Sequence, residues 1–171
     1  GLELPIVYNT NGYERIETLK MLEGYIDIYL PDFKYADNKL AKKYSKIDNY
    51  FEITTQAIKE MCKQVGNPIL NENGIMKKGI IIRHLVLPNH IENSKKVLKW
   101  IKENVPENTF ISVMAQYFPT DKAKEISDLN RKLTENEWKE IEKYIYELDI
   151  KNGYIQELGE HEEEYVPKWE L

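Results

Sequence analysis

The chain has 171 residues, 42% of them hydrophobic, and carries 24 basic against 29 acidic residues for a net charge of −5. That is enough for one globular domain and too apolar for disorder. No basic stripe interleaved with aromatics runs along it, which argues against nucleic acid as a main partner; no apolar run approaches the ~18 residues of a membrane span.

The N-terminus "GLELPIVY" has no basic stretch followed by an apolar leader, so a soluble, cytoplasmic protein is expected. The single cysteine, Cys62, excludes an intramolecular disulfide framework and any metal site built from several cysteines of this chain.

The elements alternate. "LPIVYN" (4–9) reads as a strand ending in the turn "NTNG", after which Tyr13, Ile16 and Leu19 recur at helical spacing. "YIDIYL" (25–30) is the next strand, with Ile26, Ile28 and Leu30 on one face and Tyr25, Asp27 and Tyr29 on the other. Asp37 is placed to cap a helix carrying Leu40, Tyr44 and Ile47. Asn49 with Glu52 reads as a capping box for a second helix, whose stripe includes Phe51, Thr54, Ile58, Met61, Cys62 and Val65 before Gly66 and Pro68 end it. Cys62 belongs to that packing.

Ile80 to Ile82 and Leu85 to Val86 are apolar on both faces, the pattern of a parallel strand covered on two sides. Asn89 and Glu92 read as an N-cap pair for a helix with Ser94, Val97, Leu98, Ile101 and Val105 inward. "TFISVMAQYFP" is another strand. Thr134 and Glu137 form a capping box, Leu133 and Trp138 a hydrophobic staple, and Trp138, Ile141, Ile145 and Leu148 the buried stripe. Asn152-Gly153 is expected to end that helix before a short strand in "YIQE", and the tail is acidic and irregular. The predicted fold is α/β: a partial (β/α) barrel, a parallel sheet with helices on its outside.

In such folds ligands gather where strand C-termini feed the loops. Asn9, Thr10 and Asn11 follow the first strand, Asp32 and Lys34 the second; Arg83 and His84 lie in the third, His90 just beyond it, and Gln116 and Tyr117 end the fourth. An acid, a fixed cation, an amine and amides on one rim suit a small zwitterionic ligand. The spacing of two puts Asp32 and Lys34 on one face. The same residues have plainer uses. Asp-X-Lys serves as a solvated strand end, "NTNG" as a turn, Arg83 as an ion-pair partner of Asp27 or Asp32, and His84 and His90 as structural histidines. His161 sits in a charge run, and Glu162 to Glu164 lack the fixed geometry of a metal site.

Taken in order, "LPIVYNTNGYE", "YIDIYLPDFKYAD", "GIIIRHLVLPNH", "SVMAQYFP" and "GYIQEL" resemble the C-terminal part of radical S-adenosylmethionine proteins related to the pyruvate formate-lyase activating enzymes. The resemblance covers nearly the whole chain. It implies strands 3 to 6 of a (β/α)6 barrel, in a family where a 4Fe–4S cluster held by CxxxCxxC cleaves S-adenosylmethionine to a 5′-deoxyadenosyl radical. In the activating enzymes that radical takes hydrogen from a glycine of a partner enzyme, so a protein substrate is implied alongside the small-molecule cofactor.

Position by position, the resemblance puts Asp32 and Lys34 beside the methionyl end of S-adenosylmethionine, with Arg83 in support, and a monovalent cation near Asn9, Thr10 and Asp32. Asn9 stands where the activating enzymes commonly have aspartate, Asn89 where glycine is expected, and Gln116 and Tyr117 where they place a histidine-containing segment. CxxxCxxC and the Gly-Gly-Glu segment are absent from this chain. The reading is therefore of residues 1–157 as the C-terminal part of a barrel, 158–171 as an acidic tail, and a chain inactive by itself. Losing the preceding strands would uncover the "PIVY" edge and favour self-association. Two alternatives of other classes stand beside this one: an aldolase-like barrel fragment with Lys34 as Schiff base, and a non-enzymatic half-barrel interaction module.

Overall fold

The computed structural model describes residues 4–156. In chain order these form β1 (Val7–Thr10), α1 (Ile16–Met21), β2 (Ile28–Pro31), α2 (Asn38–Ser45), α3 (Tyr50–Val65), β3 (Ile69–Leu70), β4 (Met76–Leu85), α4 (Ile91–Asn104), β5 (Phe110–Met114), a short 3₁₀ turn (Asp121–Glu125), α5 (Glu135–Glu147) and β6 (Gly153–Ile155). Five strands run parallel in the order β1-β2-β4-β5-β6, and β3 pairs antiparallel with β4. Among the five parallel strands, neighbours in sequence are neighbours in the sheet, as expected of successive β/α units, and the parallel α/β architecture is the one anticipated. Among the described residues no helix is long and apolar enough to cross a membrane.

Alternation along β4 and β5 fixes the layers. Ile80, Ile82, His84 and Val86 are buried, as are Ile111, Val113 and Ala115, and they join Ile58, Met61, Val97, Leu98, Ile101, Trp138 and Ile141 of the helices in one core. Burying each large apolar side chain contributes roughly 1.5–3 kcal/mol. The opposite face, Ile81, Arg83 and Leu85 beside Phe110, Ser112 and Met114, is half-buried. The doubly covered strand expected from the apolar run is thus covered by helices on one side. The second apolar face lines the inside of the open arc.

Local chemistry explains most element ends. The Asp37 carboxylate accepts from the Lys39 amide and caps α2; Thr134 and Glu137 exchange both bonds of a capping box at α5. Two expected caps are replaced. Asn49 starts α3 in a left-handed conformation (φ 57°) with no side-chain bond. Asn38 of α2 caps the helix instead, its Oδ1 accepting from Phe51 N at 2.9 Å and its Nδ2 donating to Glu52 at 2.8 and 3.0 Å. α4 begins at Ile91 with His90 at its N-cap, so Asn89, left-handed (φ 65°), lies one residue ahead of the cap. Its amide donates to Glu137 at 2.7 Å and its carboxamide bridges Arg131 and Asp128.

Three further boundaries differ from expectation. β2 begins at Ile28, where its pairing to both β1 and β4 starts, and both Ile28 and Tyr29 are buried. The hairpin of β3 with the start of β4 was not anticipated; Asn71 builds its turn, its Oδ1 accepting from Asn73 N and Ile75 N at 3.0 and 2.8 Å. α5 stops at Glu147, before Asn152-Gly153, and the chain turns through Asp149 (φ 51°). The acidic tail, with His161 and Glu162 to Glu164, lies outside the described residues.

Candidate functional site

The C-terminal ends of β1, β2 and β4 lie side by side, and parallel register carries their polar residues to one level. Asp32 N donates to Thr10 O at 2.9 Å, and Asp32 is bridged to Arg83 just past the regular ladder. Arg83 Nη2 donates to Asn9 Oδ1 at 2.8 Å and lies 2.6 Å from Asp32 Oδ1; Lys34 Nζ lies 3.3 Å from Asp32 Oδ2. Four expected residues, Asn9, Asp32, Lys34 and Arg83, therefore converge. The Asp32 and Arg83 side chains are 18% and 26% exposed and Lys34 is 41% exposed, so the cluster sits at the mouth of the arc.

The cluster is not self-sufficient in hydrogen bonding. The Arg83–Asp32 contact lies outside hydrogen-bonding geometry and leaves Asp32 Oδ1 and Arg83 Nε buried without a hydrogen-bond partner. Buried polar atoms are rarely left without hydrogen bonds, so this rim has donor and acceptor capacity that a ligand could use. A carboxylate oxygen and a guanidinium N–H suit an ammonium and a carboxylate respectively.

The other expected residues are placed differently. Thr10 turns its hydroxyl to Glu14, which also accepts from Tyr8 OH, and Asn11 Oδ1 accepts from Tyr13 N within the turn. Of the residues named for a monovalent cation, Asn9 Oδ1 and Asp32 Oδ1 both face Arg83 Nη2, whereas the Thr10 hydroxyl turns to Glu14. Gln116 is exposed on the loop after β5, and Tyr117 OH donates to Leu129 O at 2.9 Å. His90 Nε2 pairs with Tyr44 OH at 2.6 Å in the helical layer.

His84 is the clearest correction. Next to Arg83 on β4, it must point to the opposite face. It is fully buried, with Nδ1 2.7 Å from Phe33 O and Nε2 2.8 Å from Ser94 Oγ. A carbonyl can only accept, so Nδ1 carries the proton and Nε2 accepts from Ser94. Burial pushes its pKa down to about 4. His84 contacts the backbone behind the site and does not face the mouth.

Gly12 brings the "NTNG" loop against the same segment. Its backbone is left-handed (φ +80°), and a Cβ there would lie 2.2 Å from Asp32 O. Only glycine fits that approach. Tyr50 and Asn93, absent from the sequence-based candidates, reach the segment from behind. A signal existed for Asn93: with Ser94 it puts two polar residues on the otherwise apolar inward face of α4.

No protein-family model matches the chain. The uncharacterized protein MJ0674 of Methanocaldococcus jannaschii is 38% identical over 153 residues, taking in 86% of this chain and 40% of that protein. The chain therefore spans well under half the length of this relative. A solved domain of pyruvate-formate lyase-activating enzyme from Bacteroides vulgatus superposes with a TM-score of 0.59 at 12% identity, over 86% of this chain and 79% of that domain. At that identity the likeness is one of architecture, and the chain shares the α/β fold of a pyruvate-formate lyase-activating enzyme domain.

Proposed function

We propose that this chain is the S-adenosylmethionine-binding part of a longer radical S-adenosylmethionine protein similar to the activating enzymes. The observation that carries the reading is the convergence of Asp32, Lys34 and Arg83 at the strand C-termini, with Arg83 Nε left without a hydrogen-bond partner and Asp32 Oδ1 met only by its ion pair with Arg83. Asp32 would hold the ligand's ammonium, and Arg83 and Lys34 its carboxylate. S-adenosylmethionine supplies the 5′-deoxyadenosyl group in that chemistry; this chain's residues bind and orient its amino-acid end.

An iron–sulfur cluster does not fit this chain. Cys62 is its one cysteine, and burial within α3 pushes the thiol up to about 12, far from the thiolate a cluster needs. In this reading the cluster ligands belong to another segment of the longer protein. The aldolase-like alternative calls for a desolvated Lys34, whereas the side chain is 41% exposed and paired with Asp32.

The test is calorimetric titration of S-adenosylmethionine into the full-length, cluster-loaded protein. Asp32→Ala should weaken binding about ten- to a hundred-fold, since charge-assisted contacts in a partly desolvated site are worth roughly 1.5–3 kcal/mol. Lys34→Met keeps the stem and removes the charge, and should also weaken binding. Unchanged affinity with a large loss of thermal stability would identify the cluster as a structural ion pair and overturn the reading.

A further inference from the structure

Phe33 and Lys34 lie in no regular secondary structure, so their backbone groups would ordinarily turn to water. Here they do not. Phe33 N donates to Arg83 O at 2.8 Å, and Phe33 O accepts from His84 Nδ1 at 2.7 Å. Lys34 N donates to Tyr50 OH at 2.9 Å, and the same hydroxyl donates to Asp32 O at 3.2 Å. Asn93 Nδ2 donates to Lys34 O at 2.9 Å while its Oδ1 accepts from Ala36 N at 2.8 Å.

Three side chains from three elements thus hold one irregular segment: Tyr50 from the first turn of α3, His84 from β4, and Asn93 from the first turn of α4. Their exposures are 2%, 0% and 5%. Burying a hydroxyl, an imidazole and a carboxamide under a core is unfavourable unless each is satisfied, and apolar residues would pack there at lower cost. Every bond they make to the segment goes to its backbone, which leaves the Asp32 and Lys34 side chains free to face the mouth. The ordering of that pair is then completed on folding, before any ligand arrives.

We propose that Tyr50 and Asn93 are positioning residues for the Asp32–Lys34 pair, acting through the backbone from Asp32 to Ala36, with His84 fixing the Phe33 carbonyl between them. This rests on the reading that the pair receives the amino-acid end of S-adenosylmethionine. Tyr50 contributes as both acceptor and donor through one oxygen, so its loss frees two backbone groups at once. Asn93 ties Lys34 to Ala36 as a neighbouring strand would.

The test compares two ligands in the full-length, cluster-loaded protein: S-adenosylmethionine, and 5′-methylthioadenosine, which keeps the nucleoside and lacks the amino-acid end. Tyr50→Phe and Asn93→Ala are measured beside Asp32→Ala, with amide exchange followed at Lys34 and Ala36 in this chain. Tyr50→Phe and Asn93→Ala should each weaken S-adenosylmethionine about five- to ten-fold and leave methylthioadenosine unchanged. Exchange should quicken at Lys34 in the first variant and at Ala36 in the second. Tyr50→Phe removes one oxygen and keeps the ring, so it decides the matter if Asn93→Ala fails to fold. Equal losses for both ligands, or parental affinity in Tyr50→Phe while Asp32→Ala loses it, would overturn the positioning role and leave the proposed function standing. Parental affinity in Asp32→Ala as well would overturn both.

Discussion

Burial holds the imidazole of His84 neutral, with its pKa pushed down to about 4 against the opposing pull of the Phe33 carbonyl and the Asp32 carboxylate. In the unfolded chain the same group takes a proton near its ordinary value of about 6.5. Between those two values the unfolded state binds more protons than the folded one, so stability rises with pH across the window. The His84 contribution is fully present above about pH 6.5 and is lost as pH falls toward 4, by roughly 3 kcal/mol over the whole span. Denaturant unfolding of this chain at pH 7 and 4.5 should show the loss, and His84→Gln should flatten it; parallel profiles for the two proteins would refute the assignment. The sequence places Arg83 and His84 side by side, and strand alternation already allows only one of them to reach the rim. Which one does so depends on where the helices pack, and residue type alone does not carry that.

At the level of elements, the ends depend on contacts between distant segments. Thr134 and Glu137 are readable as a capping box because both partners lie within one turn, and both bonds are made. The cap of α3 comes from Asn38, thirteen residues before Phe51, where no local pattern points to it. The β1 edge follows from pairing alone. Ile28 N bonds Ile6 O and Asp32 N bonds Thr10 O, so in a parallel ladder the backbone groups of Val7 and Asn9 turn to the other side, where no strand pairs among the described residues. Leu4, Ile6 and Val7 are exposed along it. Such an edge invites another strand, and the chain is expected to self-associate there. Light scattering of Val7→Lys should report a monomer where the parent associates, while Tyr154→Lys at the opposite edge should not. A parent chain that stays monomeric at tens of micromolar would remove this expectation.

For the whole molecule, the regular alternation of strand and helix patterns was enough to predict a parallel α/β sheet, because each period reports local geometry. Its one-sidedness was hidden: Ile81 and Leu85 are as apolar as Ile80 and Ile82, and nothing in the run of β4 tells a helix-covered face from the inside of an arc. The convergence of Asp32, Lys34 and Arg83 was legible because all three lie at strand ends of one polarity; Tyr50 and Asn93 were not, since they reach the rim from helix starts. Anaerobic reconstitution of the chain as it stands should leave no stoichiometric iron–sulfur signal in paramagnetic resonance, because one buried thiol cannot replace three thiolates. A cluster at one per chain would require a ligand set other than cysteine.

The approach of Gly12 to the Asp32 carbonyl makes the first two rim loops a single mechanical part. Any side chain at position 12 would wedge them apart and carry Asp32 away from Arg83, so neither loop can drift without the other. Divergence toward new ligands must therefore work around this hinge-free corner. In a library randomised along the whole mouth, position 12 would return glycine while the exposed loop carrying Gln116, across the opening, absorbed the variation.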